Sequence, residues 1–364
     1  MDIFERIQQL DRRWIYLVLA IAIIIPLIIP FNSNTYTTWP TESLYRMIDS
    51  FAPPLGTDPI DHDRAFLMVF SHDASTMPEL FPMELAVLRH AFERNIKVFT
   101  LCFLPTAAPI IDFALNTMKQ HFPHIESGVH YANFGFKPGA LLLPIVLGMG
   151  EDIAEAIGVD AEGRSISSLP IMTNIRNYNE MNLIIEFSGS VAGGTWITYA
   201  RSRFGANVAV GVTAVTASDL FPFLQTGQLI GMLGGLKGAA EYEHLVDLFA
   251  AHRCDVWPTC RVDNANICST GSCGREFIPE IARTQRDIRR ASRDPVTRAI
   301  IVDPITGDPV IHHGAITNPD IPIVFKQARI GMNAQSVAHL LIILFIVLGN
   351  IGYFVQKYKT NKES

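Results

Sequence analysis

The sequence predicts an α/β protein: a doubly wound, mainly parallel sheet of about five strands, Rossmann- or flavodoxin-like, flanked by N- and C-terminal transmembrane helices. Short apolar runs alternate with amphipathic stretches from residue 64 to residue 250, and repeated strand–helix order implies parallel strands with right-handed crossovers. A long uncharged apolar run also lies near each terminus. The 364 residues are 18% charged with a net charge of −6, which gives no electrostatic reason to expect nucleic acid as a partner.

The five predicted strands are apolar on both faces, which is typical of a sheet covered by helices on both sides. They cover residues 64–72, 96–105, 129–137, 183–188 and 208–215. The predicted helices cover residues 82–95, 108–121, 139–156, 196–203 and 225–251. In such folds ligands bind at the carboxyl ends of the strands. The candidate binding loops are therefore residues 71–73, 104–106, 135–137, 188–190 and 213–215.

Residues 15–31 and 337–355 are the two uncharged apolar runs. As helices rising about 1.5 Å per residue, they just cover the roughly 30 Å hydrocarbon layer of a bilayer. A cleaved signal peptide is the alternative for the first run, but no convincing small-x-small cleavage site follows Phe31. We therefore expect two membrane anchors, with the lipid bilayer as a partner.

Flanking charge predicts the orientation of these spans. Arg6, Arg12 and Arg13 precede the first span, and three lysines follow the second. We expect both termini in the cytoplasm and the main domain outside it, with the opposite orientation left open. The predicted division is a cytoplasmic N-terminus (1–14), a first span (15–31), a linker (32–63), an α/β domain (64–251), a cysteine-containing, basic and hairpin region (252–336), a second span (337–355) and a cytoplasmic tail (356–364).

Four of the five cysteines, Cys254, Cys260, Cys268 and Cys273, are clustered. In an oxidising compartment this pattern predicts two disulfides whose pairing stays open. Zinc or free thiols are the alternatives, although no pair has the C-x2-C spacing of most structural zinc sites. Further along, residues 299–313 have the pattern of a hairpin around Gly307.

A glycine-rich loop follows the fourth predicted strand. Backbone amides in such a loop, at the start of a helix, can hold an anion. The candidate ligand-binding residues are Ser188, Gly189, Ser190, Gly193 and Gly194, with Lys137 from a second strand-end loop. The alternative is a structural turn, because the loop departs from G-x-G-x-x-G and lacks the lysine of a P-loop.

His72 and Asp73 stand at the end of the first strand. As an imidazole and a carboxylate at the ligand-binding edge, they are the candidate catalytic pair for acid–base chemistry. Nearby Asp58, Asp61, His62 and Asp63 could add ligands for a divalent cation, but their spacing selects no metal. The sequence predicts no metal site and identifies no cofactor.

Small residues recur at helical spacing in the predicted helix 225–251, namely Gly227, Gly231, Gly234, Gly235 and Gly238. Each glycine weakens a helix by about 1 kcal/mol relative to alanine. Close approach of another backbone would offset this cost, which predicts self-association through a glycine face. The alternative is tight packing of the helix on its own sheet.

The functional expectation is a two-span membrane protein whose extracytoplasmic domain acts as a binding or assembly component. Its expected partners are further copies of itself or other members of a membrane complex. The alternative is a membrane-tethered hydrolase or transferase that acts on a phosphorylated or envelope-derived substrate at the strand-end pocket.

Overall fold

A computed structural model describes residues 12–29, 31, 37–53, 59–190, 193–250, 280–281, 310–311 and 322–363. The chain forms two compact units. One comprises the terminal segments Met1–Ser33 and Arg329–Ser364, and the other comprises Asn34–Ala328.

The larger unit contains a sheet of six parallel strands. The strands are β1 (Ala65–Ser71), β2 (Lys97–Cys102), β3 (Tyr131–Phe136), β4 (Leu183–Ser188), β5 (Asn207–Val212) and β6 (Gly231–Gly234). Their spatial order is β3-β2-β1-β4-β5-β6, which is the strand order of Rossmann-type folds. The predicted α/β class and parallel sheet are confirmed, with one strand more than expected.

The helices are α1 (Arg12–Ile28), α2 (Trp39–Asp49), α3 (Met77–Glu93), α4 (Ala108–His121), α5 (Leu142–Gly148), α6 (Ile153–Ile157), a π-helix (Trp196–Arg201) followed by the helical turn Ser202–Phe204, α7 (Ala214–Gln225), α8 (Gly235–Ala250) and α9 (Gln327–Glu363). Helices of the larger unit cover both faces of its sheet. One face packs on α5, α6, α7 and the π-helix. On the other side, α2 contacts β6 and α8, and α3 contacts α4 and α8. The central strand β1 is buried throughout except at Ser71, which explains its apolar sequence.

The predicted helix 139–156 is interrupted. A 3-10 turn (Gly139–Leu141) leads into α5, and Asp152 starts α6 by accepting a hydrogen bond from the amide of Glu155 at 3.1 Å. A Cβ atom at Gly150 would lie 2.3 Å from the ring of Phe204. The break therefore lets the chain pass close to an aromatic side chain.

The predicted helix 225–251 is wrong over its first part. Helix α7 ends at Gln225, and β6 and then α8 follow. A Cβ atom at Gly231 would lie 2.7 Å from the carbonyl oxygen of Pro40 in α2, and Gly235 has φ +58° beside Ala214. Close backbone approach does explain these glycines, but the neighbours are helices of the same chain. These glycines therefore do not share one helical face, and self-association of the chain stays a prediction.

The terminal unit contains α1 and the later part of α9. Within the described residues, one helical stretch, Gln327–Phe354, is long and apolar enough to cross a membrane. Helix α1 ends at Ile28, short of the predicted Phe31, because the residue before a proline disfavours helical geometry and Pro30 follows. The expectation of two helices of spanning length is therefore met only at the C-terminus.

The predicted cysteine-containing region lies mostly outside the described residues. This holds for the four clustered cysteines and the first hairpin strand. The described residues contain one cysteine, Cys102, which is buried and free, as expected for a small apolar residue. Strand β7 (Glu280–Ile281) pairs antiparallel with β8 (Val310–Ile311). The second predicted hairpin strand, which contains β8, is therefore paired with β7.

Candidate functional site

The carboxyl edge of the sheet contains the candidate site, at the point where the strand order reverses. The chain runs from β1 outward to β2 on one side and from β4 outward to β5 on the other. Ser71 and Ser188 lie opposite each other in the two central strands. Crevices at such switch points are where open α/β sheets bind ligands. The predicted loops 71–73 and 188–190 are thus brought together, and a Cβ atom at Gly189 would lie 2.6 Å from Thr76.

Asp73 is exposed at this edge, where its carboxylate shapes the loop. Its Oδ1 accepts hydrogen bonds from the hydroxyl (2.6 Å) and the amide (2.8 Å) of Ser75. These two bonds lower the pKa of Asp73. Asp73 is therefore ionised and stabilises the turn of its loop, at the sheet edge where the sequence predicted it.

His72 points away from the crevice. Its Nε2 lies 2.6 Å from Oε1 of Glu84 in α3, and both side chains are fully buried. Its Nδ1 lies 3.0 Å from the backbone oxygen of Asp73, and since a carbonyl only accepts, Nδ1 carries a proton. The structure therefore does not bring His72 and the Asp73 carboxylate together, and sequence reasoning missed the partner Glu84.

The pKa values of both members of the His72–Glu84 pair are shifted from their ordinary values. Burial raises the pKa of Glu84. Burial alone would lower the pKa of His72, but the hydrogen bond and the charge of Glu84, together with the contacts to Asp73, outweigh it, and that pKa is also raised. The second carboxyl oxygen of Glu84 is buried and has no hydrogen-bond partner among the described residues. Since a bare carboxylate oxygen is costly to bury, the neutral acid is the favoured form.

The side-chain carboxylate of Glu186, in the same chain, binds the glycine-rich loop after β4. The amide of Gly193 donates to Oε2 of Glu186 at 2.6 Å, and the Ser71 side chain also bonds to Glu186, whose pKa is raised by burial. The amide of Ser190 donates to the Ser188 hydroxyl at 3.2 Å. Residues 191–192 lie outside the described part. The amide of Gly193, a predicted anion ligand, is thus already bonded, whereas a Cβ atom at Gly194 would have no neighbour within 4 Å among the described residues.

Two further polar groups at this edge, the Glu79 carboxylate and the Lys137 ammonium, are also engaged. Oε2 of Glu79 accepts a hydrogen bond from the amide of Ala214, the first residue of α7, at 2.9 Å. Nζ of Lys137 donates to the carbonyl oxygens of Ile157 (3.2 Å) and Val159 (2.9 Å) at the end of α6. Burial lowers the pKa of this lysine. Lys137, which the sequence predicted to bind an anion, therefore donates hydrogen bonds to carbonyl oxygens at the end of α6.

Three amides at the carboxyl edge are thus bonded to three carboxylates, those of Asp73, Glu79 and Glu186. A phosphate entering here would meet negative charge where Rossmann folds usually offer free donors. Beside these loops lies an apolar rim, defined by Leu104, Phe136, Leu141 and Leu143, each between 39% and 45% exposed. Grouped exposed apolar side chains are typical of interaction surfaces.

No group of three or more His, Cys, Asp or Glu side chains arranged to hold a metal ion occurs within the described ranges. Searches with protein-family models, against curated proteins and against solved structures found no match to this sequence. The fold and the carboxyl edge of the sheet define the class of protein. It is a Rossmann-like α/β domain on a chain with an apolar C-terminal helix.

Proposed function

We propose that this protein is a membrane-anchored binding component whose partner docks at the carboxyl edge of the sheet. One observation carries the proposal: three backbone amides of this edge are bonded to carboxylates of the same chain, while the apolar rim beside them is exposed. A partner is then held by apolar contact. The alternative, a hydrolase or transferase acting on a phosphorylated substrate, has less support because His72 is buried and the loop amides face carboxylates.

The anchor in this proposal consists of both terminal helices. Helices α1 and α9 belong to the same compact unit, and Nδ2 of Asn333 in α9 donates to the carbonyl oxygen of Phe31 at 2.5 Å. An unpaired carbonyl is costly in hydrocarbon, so such a bond suits a chain that enters the bilayer twice. The flanking charges favour cytoplasmic termini and an extracytoplasmic domain.

The segment just before α9 is consistent with docking at the apolar rim. Phe325 packs against Phe122 at the end of α4, with ring centroids 6.1 Å apart. Because α4 begins at the carboxyl edge and ends at the amino edge of the sheet, this segment packs at the edge of the larger unit opposite the apolar rim. The proposed partner at the rim is either a second copy or another member of a membrane complex.

Photo-crosslinking in native membranes tests the docking edge. A photoreactive residue at Leu141 should give a defined protein adduct, because this position lies in the exposed rim. The additional change Phe136→Ser should reduce the adduct several-fold by removing apolar contact area. The matched control is the same residue at Glu151, which is exposed outside the rim. Equal labelling at both positions, or no effect of Phe136→Ser, would contradict docking at this edge.

The proposed orientation has a direct test. Ser167 is exposed in the larger unit, so a Ser167→Cys variant of the full chain should react with an impermeant thiol reagent in intact cells. The parent chain provides the background from its native cysteines. Labelling that requires permeabilised cells would place the domain in the cytoplasm, and recovery of the chain in the soluble fraction would contradict the anchor itself.

A further inference from the structure

A series of contacts connects the loops of the candidate site to the buried His72–Glu84 pair. The ring of His72 donates from Nδ1 to the carbonyl oxygen of Asp73. The same oxygen accepts a hydrogen bond from the hydroxyl of Thr76 at 3.4 Å, and Thr76 is the residue against which Gly189 packs. The position of Glu84 is thereby linked to both loops of the switch point.

The pair holds a single mobile proton between Nε2 and Oε1. Since Nδ1 is a donor to Asp73, a 2.6 Å contact between the other nitrogen and a carboxyl oxygen requires one proton between them. Without it, a nitrogen lone pair would face a buried carboxylate. The pair would then repel, and the second oxygen of Glu84 would be a charged acceptor with no donor.

We propose that His72 and Glu84 form a proton-dependent latch, which holds the loop 72–76 closed at the carboxyl edge while they share a proton and releases it when that proton is lost. The latch is a regulatory device of the edge where we propose that partners dock. Its test needs no partner, so its outcome is independent of the docking proposal.

Within the part of the chain that the structure describes, few other charges act on the latch. Asp73 is the other charged group that affects His72, and His72 is the charged group that affects Glu84. Charged side chains on the elements packed around α3 have partners elsewhere: Glu42 with Arg46, Asp49 with Arg94, Arg89 with Asp247, Lys237 with Glu241, Asp112 with Asn133, Glu243 with the amide of Ala328, and Lys97 with the carbonyls of Ile60 and Thr173. The proton on the pair therefore controls the local charge.

The direction of the pH dependence follows from the proton count. An opened loop exposes both groups, whose ordinary pKa values are about 4.3 for glutamate and 6.5 for histidine. In the closed state both pKa values are raised. The stabilisation is thus complete below about pH 6.5 and is lost as pH rises. Above that pH the opening equilibrium should increase by about tenfold per pH unit, since one proton is released.

Hydrogen exchange of the full chain in detergent tests the latch between about pH 6.5 and 9. After correction for intrinsic exchange, the protection of amides 73–76 should fall by up to about tenfold per pH unit. Glu84→Gln keeps a hydrogen-bond donor for His72 but has no proton to lose, so its protection should not vary with pH. Glu151→Gln, the same change at an exposed carboxyl, should behave like the parent.

A second variant covers the case in which Glu84→Gln does not fold. The double variant His72→Phe with Glu84→Leu replaces both partners by apolar groups, which is tolerated better than removing one. It should also show pH-independent protection of the loop. A parent chain whose protection does not change with pH, or a Glu84→Gln or double variant that keeps the parent's slope, would overturn the proposal.

Discussion

Replacing Arg89 by methionine should lower the free energy of unfolding by about 3–5 kcal/mol, the usual cost of removing one partner of a buried ion pair. Nε of Arg89 donates to Glu93 and Nη1 donates to Asp247, each at 2.6 Å, and all three side chains are no more than 6% exposed. The guanidinium also lies over the ring of Phe325, 5.2 Å from its centroid. Without the cation, two carboxyl groups stay buried together between α3 and α8. Chemical denaturation of the full chain in detergent measures the loss.

Two variants separate the ion group from general effects of the substitution. Arg176→Met removes an arginine whose side chain is 75% exposed beside Asp152, and such surface pairs contribute about 0–1 kcal/mol. The triple change Arg89→Met, Glu93→Leu and Asp247→Leu should recover most of the stability, because apolar residues of similar size replace buried ions well. A loss for Arg89→Met no larger than that for Arg176→Met would mean that the ion group does not stabilise the packing of α3 on α8.

The sheet was predictable where each strand is long and apolar. Strands β1, β2 and β4 are almost wholly buried, and most of their residues are apolar. Strand β6 was missed because it has four residues, two of them glycine, and its neighbours have helical spacing. A strand this short is defined by its pairing with β5 and by contact with α2, which no local pattern encodes.

The meeting of the two loops at the candidate site was predictable, but the partners of their side chains were not. The rule for open α/β sheets correctly brought residues 71–73 and 188–190 to one crevice. His72 and Asp73 were paired because they are adjacent in sequence. Both residues follow Ser71, the last residue of β1, and there the buried His72 side chain contacts Glu84 while the Asp73 carboxylate accepts from the amide of Ser75. The carboxylates Glu84 and Glu186 reach their partners only through the fold, which the local sequence does not encode.

A substitution at Gly231 should lower the stability of the domain. It should have no separate effect on association between chains. A Cβ atom there would lie 2.7 Å from the backbone oxygen of Pro40 and 2.8 Å from Cβ of Leu44. Both contacts belong to α2, so Gly231→Val must push this helix away from β6. Overpacking of this kind costs about 1–3 kcal/mol. Thermal unfolding of the full chain should show the loss at every protein concentration, because the clash lies within one chain.

The control is Gly139→Val, where the nearest atom to a new Cβ is the Phe103 carbonyl oxygen at an ordinary 3.8 Å. This variant should unfold within about 0.5 kcal/mol of the parent, as surface substitutions usually do. The comparison distinguishes the two explanations of the glycines. If they served association between chains, Gly231→Val would change the oligomer in detergent while its unfolding at low concentration matched that of Gly139→Val. Loss of stability without a concentration dependence is the result that the contact with Pro40 requires.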